Sequence, residues 1–78
     1  MLVLTFGIVK EITGHSPLNL FVPNDATVCD LRKGLVEKYP ELLTLKSLAI
    51  AVNGIYAGDE VVLNPGDEVA LIPPVSGG

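Results

Sequence analysis

The chain has 78 residues, nine acidic against five basic, for a net charge of −4. That length holds one small domain near the lower limit for a core without staples, and the single cysteine, Cys29, excludes an internal disulfide. The acidic balance, with no run of Lys or Arg interleaved with aromatics, argues against phosphate-backbone binding, so no nucleic-acid partner is expected.

Hydrophobic residues make up 49% of the chain, which for so short a sequence suggests apolar surface kept open for a protein partner. The acidic balance favours a partner with a basic docking surface. Apolar runs are only a few residues long and the N-terminus carries no basic segment followed by a long apolar one, so no membrane association and a cytoplasmic location are expected.

From Met1 to Val9 apolar residues alternate, which predicts a first strand with Leu2, Leu4, Phe6 and Ile8 on one face and Val3, Thr5, Gly7 and Val9 on the other. Period two sends the first of these sets into the core. Gly14-His15-Ser16-Pro17 is turn chemistry, and Pro17 to Pro23 reads as a second strand, so the two are expected to form a hairpin. Thr27 followed three residues later by Asp30 resembles a capping box, and Val28, Leu31, Leu35 and Tyr39 then recur at helical spacing until Pro40 ends the run. Gly34 within that helix costs about 1 kcal/mol relative to Ala, which suggests close packing against the sheet. Ser47 to Val52 reads as a third strand, Asn53-Gly54 as a tight hairpin turn, and Ile55-Tyr56 as the return. Asn64-Pro65-Gly66-Asp67 is a further turn before a last apolar strand, Glu68 to Ile72. The order predicts an α+β domain over residues 1–72, a mixed sheet with one main helix packed across it. Residues 73–78 are set apart as a tail.

That tail, Pro73-Pro74-Val75-Ser76-Gly77-Gly78, follows an apolar strand with no linker between. The prolines fix φ and remove two backbone donors, so the segment is expected to leave the sheet as a stiff stalk. Gly77 and Gly78 lack Cβ, so a narrow channel in another protein could close around them and bring the terminal carboxylate to a reactive centre. The extended reach from Pro73 is roughly 20 Å. A loose terminus is the plain alternative.

Ala51-Val52-Asn53-Gly54, the run from Pro65 to Ile72 and the ending from Pro73 to Gly78 together resemble the family of small, sulfur-carrying subunits of molybdopterin synthase. The resemblance spans the whole chain and is most specific in its last third. It implies a ubiquitin-like β-grasp fold with the first and last strands side by side. It also implies that an ATP-dependent adenylating enzyme turns the Gly78 carboxylate into an acyl-adenylate, that a sulfur donor replaces AMP to leave a thiocarboxylate, and that the tail enters the large subunit to give sulfur to a cyclic pyranopterin. ATP then belongs to the activating partner, and no cofactor is bound here. Two small and two large subunits are the family's expected assembly, and positions like Phe6 and Tyr56 meet the large subunit. Two other fates of the same ending stay open: a thiazole-type sulfur carrier, and a ubiquitin-like modifier joined to a target lysine through Gly78. A plain interaction module with no chemistry at its terminus is the remaining alternative.

Chemistry on the chain itself has weaker candidates. Cys29 falls at the second position of the predicted helix, where a thiol can be activated, but a small half-buried thiol is the simpler reading. His15 has no acid or nucleophile near it in sequence, and Asp59-Glu60 and Asp67-Glu68 read as solvated or turn-forming acids rather than metal ligands. In the last strand Val69 and Leu71 are expected to face the helix and Ala70 and Ile72 the open side, making Ile72 a partner contact beside Tyr56. Phe6 joins them as an interface residue, against its predicted place on the core face.

Overall fold

The computed structural model describes residues 1–14, 16–45 and 48–73. The expectations for His15, for Ser47 as the start of a strand and for the tail from Pro74 to Gly78 lie outside these residues.

Within them the order is β1 (Leu2–Thr5), α1 (Gly7–Thr13), β2 (Leu18–Asn19), α2 (Val28–Lys38), a 3-10 turn (Pro40–Thr44), β3 (Ala49–Val52), β4 (Ile55–Tyr56) and β5 (Val69–Ile72). The strands form one mixed sheet in the order β2-β1-β5-β3-β4. β1 and β5 run parallel, with Val3 opposite Val69 and Thr5 opposite Leu71, and every other pair is antiparallel. The last strand to be made therefore sits at the centre, held on both sides.

Two expectations fail at the N-terminal end. The first strand stops at Thr5, and Gly7 to Thr13 is a helix, so β1 and β2 pair antiparallel across a helical connection rather than as a hairpin. Helical spacing explains this, since Val9 and Thr13 lie one turn apart and both are buried. The buried face of β1 is also the opposite of that predicted. Val3 and Thr5 point into the core, while Leu2 is 58% exposed and Ile8 lies on the helix instead of the strand.

The capping box at α2 forms as predicted, the Asp30 N–H donating to Thr27 Oγ1 at 3.3 Å and the Thr27 N–H to Asp30 Oδ2 at 3.0 Å. The next free donors of that helix end are also used, by Val28 to the Val61 carbonyl and by Cys29 to that of Asp59. Val28, Leu31 and Leu35 pack the helix onto the sheet through Val3, Leu18, Ile50, Val69 and Leu71. Gly34 is not explained by close packing, because a Cβ built there meets nothing within 4 Å. Arg32 ties the helix to the start of β3, donating through Nη1 to the Leu48 carbonyl at 2.6 Å.

Candidate functional site

The sheet has one face covered by α2 and one face open. Along β5 the burial alternates as predicted, with Val69 and Leu71 inaccessible and Ala70 and Ile72 partly exposed. On the open side Leu4, Phe6, Ala51, Gly54, Tyr56, Glu68, Ala70 and Ile72 line one shallow groove. The three residues singled out from the sequence as partner contacts, Phe6, Tyr56 and Ile72, thus come together although they are far apart in the chain. Phe6 is 47% and Tyr56 72% exposed. The conflict over Phe6 disappears, since the even-numbered side of β1 is the open one. Leu4 and Ala51 complete the floor and were not singled out. The signal for Leu4 was its two-residue spacing from Phe6.

One end of the groove is fixed by two turns that hold each other. Asn53 and Gly54 both take positive φ, +54° and +82°, the geometry of the tight hairpin turn predicted for them. The Asn53 N–H donates to the Glu68 carbonyl at 2.7 Å, and its side-chain oxygen accepts from the Glu68 N–H at 2.9 Å. Its side-chain nitrogen donates to Asp67 Oδ1 at 3.0 Å, and Asp67 Oδ2 accepts from the Asn64 N–H at 2.7 Å. The Asn64 N–H and the Asn53 amide hold the Asp67 carboxyl below its ordinary value by stabilising the charged form. Glu68 leaves this network as an exposed acid at the groove's rim.

At the other end the chain leaves the sheet. Ile72 closes β5 opposite Ala49, and Pro73 is the last described residue, beside Gly7. Pro74, Val75, Ser76, Gly77 and Gly78 follow in sequence. Cys29 is free and half-buried, with its N–H already donated to Asp59. Among the described residues no three His, Cys, Asp or Glu side chains converge where a metal ion could sit, and no helix is long and apolar enough to cross a membrane.

A mixed sheet with its first and last strands parallel and adjacent, wrapped on one main helix and with its C-terminal strand central, is the ubiquitin-like β-grasp. The model of the ThiS family matches residues 3–78. The chain is 38% identical over 77 residues to the molybdopterin synthase sulfur carrier subunit of Arabidopsis thaliana, covering 97% of this chain and 80% of that protein. Among solved structures it is similar to small archaeal modifier protein 1 of Haloferax volcanii (TM-score 0.82, 29% identity, 95% of each chain). It is also similar to a chain in the complex of subunits 1 and 2 of the molybdopterin-converting factor from Helicobacter pylori (TM-score 0.68, 32% identity, 99% of this chain and 96% of that one). This protein belongs to the ThiS family.

Proposed function

We propose that this protein is the sulfur-carrier subunit of a molybdopterin synthase. The observation that carries the reading is the tail from Pro73 to Gly78, rooted in the central strand of a β-grasp sheet. The name shared by its relatives supports it. A terminal carboxyl with a pKa of about 3.5 is an anion near neutral pH. Its oxygen attacks the α-phosphorus of ATP in the adenylating partner, pyrophosphate leaves, and Gly78 becomes an acyl-adenylate. A hydrosulfide supplied by the donor then attacks the acyl carbon, AMP departs with the bonding electron pair, and loss of the sulfur-bound proton leaves the thiocarboxylate. In the large subunit the thiocarboxylate sulfur is given to the pyranopterin, and two such transfers build the dithiolene.

In this division of labour Gly78 carries the reacting group and Pro73, Pro74, Val75, Ser76 and Gly77 guide it. Phe6, Tyr56 and Ile72 dock the open groove on the large subunit. The acids, bases and substrate pocket belong to the partners, ATP is consumed by the activating enzyme, and no cofactor is held on this chain. The complex that the H. pylori relatives form supports a large-subunit partner, and the proposed assembly is cytoplasmic, with two small and two large subunits. Intact mass after co-expression with the adenylating enzyme and sulfur donor tests the reading: one oxygen is expected to be replaced by sulfur, confined to the Gly78 carboxyl. An unmodified carboxyl in every preparation overturns it.

A second reading is favoured by the likeness to small archaeal modifier protein 1. Activation is the same in both, and only the acceptor differs: a lysine amine attacks the activated Gly78 carbon to give an isopeptide bond. Higher-mass conjugates in cell extracts that vanish on deletion of Gly78 would establish this use, and their absence would leave sulfur transfer as the role.

A further inference from the structure

We propose that Gly7 is a positioning residue, keeping clear the lane by which the chain leaves the sheet on its way to Gly78; the proposal rests on the carrier reading above. β1 and β5 are parallel in the register Val3 to Val69, Leu4 to Ala70 and Thr5 to Leu71. Carried two residues further, that register sets positions 6 and 7 beside Ile72 and Pro73. β1 ends at Thr5, and the chain turns away into α1 through Gly7, whose φ of +53° is one that side chains rarely adopt. A Cβ built on Gly7 would lie 3.5 Å from Pro73 Cγ, in ordinary van der Waals contact. A methyl group fits there; atoms beyond it must move Pro73 or find another path.

Pro73 depends on such contacts more than another residue would. It has no N–H, so no ladder bond through its nitrogen fixes its direction, and the packing of its ring must do so. Its direction in turn aims the tail, and in a partner's site a displacement of about 1 Å at the reacting atom is worth about 100-fold in rate. The groove proposed to dock the large subunit does not include Gly7, so a substitution at Gly7 leaves that face's lining unchanged.

The molecule supplies its own control. Gly14 ends the same helix with φ +86°, but a Cβ built there meets nothing within 4 Å. Both glycines meet a backbone demand, and of the two Gly7 alone stands against Pro73. Asn tolerates positive φ, so G7N and G14N keep comparable backbones while adding a side chain in the lane or in open space. The assay is ATP–pyrophosphate exchange by the adenylating enzyme with each variant as substrate. G7A fits the space but strains the backbone at φ +53°, so it is expected to melt lower while keeping kcat near wild type. G7N should lose about 10- to 100-fold in kcat with KM unchanged, and G14N should lose neither. G7D against G14D, Asp also tolerating positive φ, gives the same comparison should G7N fold poorly, and melting temperatures identify that case. Equal kcat for G7N and G14N, or a loss confined to KM, overturns the proposal. A wild-type chain that supports no exchange overturns the carrier reading instead. The lane is then read by NMR: Pro73 ring shifts should move in G7N and not in G14N, and unmoved shifts refute it.

Discussion

At the scale of single residues, the two turns at one end of the groove are interlocked through side chains. Asp67 accepts from the Asn64 N–H and from the Asn53 amide, and both bonds favour its charged form. Asp30 is held low in the same way, first by the Thr27 backbone N–H and then by the Thr27 side chain. Each carboxyl therefore has a lower pKa folded than unfolded. Its contribution to stability is complete above the ordinary carboxylate pKa of about 3.9 and is lost as pH falls through the lowered folded value. D67N, which keeps an acceptor but has no charge to lose, should melt lower than wild type at neutral pH and show a smaller further drop in acid. Parallel melting curves of the two proteins down to pH about 2 would refute this. Asp67 was legible as a turn residue from Asn64-Pro65-Gly66-Asp67. Its partnership with Asn53, fourteen positions away, was not, because a turn motif carries no information about which other turn it will meet.

At the scale of elements, the chain from Thr27 onward could be read and the connection between the first two strands could not, for a physical reason. Asn53-Gly54, the capping box at Thr27 and Asp30, and the stop at Pro40 each impose a local conformation whatever surrounds them. Gly7 to Thr13 has no such mark at its start, since Phe6 offers no side-chain cap, and Ile8-Val9 after Leu2 to Phe6 continues a strand-like alternation. The signal that could have found α1 was Val9, Ile12 and Thr13 at helical spacing before Gly14. The same mistake reversed the faces of β1, and with it the reading of Phe6, while the short β5, flanked by strands on both sides, kept its predicted faces. These two faces should respond differently to substitution. L35A opens the core beneath the sheet and is expected to cost about 2–5 kcal/mol in chemical denaturation. Y56A, on the open side, should change stability by less than about 0.5 kcal/mol. It should nevertheless weaken binding to the large subunit about tenfold or more by calorimetry, as truncation of an interface aromatic does. An unchanged affinity for Y56A would remove the groove from the interface.

At the scale of the whole molecule, sheet order places the two chain ends in a particular mechanical relation. β1 enters the sheet near Met1 and β5 leaves it towards the tail, side by side and pointing the same way. Pulling the two ends apart therefore slides β1 along β5, loading the ladder between them, and that between β5 and β3, as a block in shear. A pull across the β3–β4 hairpin would instead open its bonds one after another. A protein whose working end is held inside a partner gains from this arrangement, because tension on the stalk is resisted by the central strand with both neighbours attached. Single-molecule extension through Met1 and Gly78 should give a clearly higher rupture force than extension through residues 51 and 56, which face each other across that hairpin. Equal forces would show that the parallel pairing of the terminal strands does not anchor the tail against load.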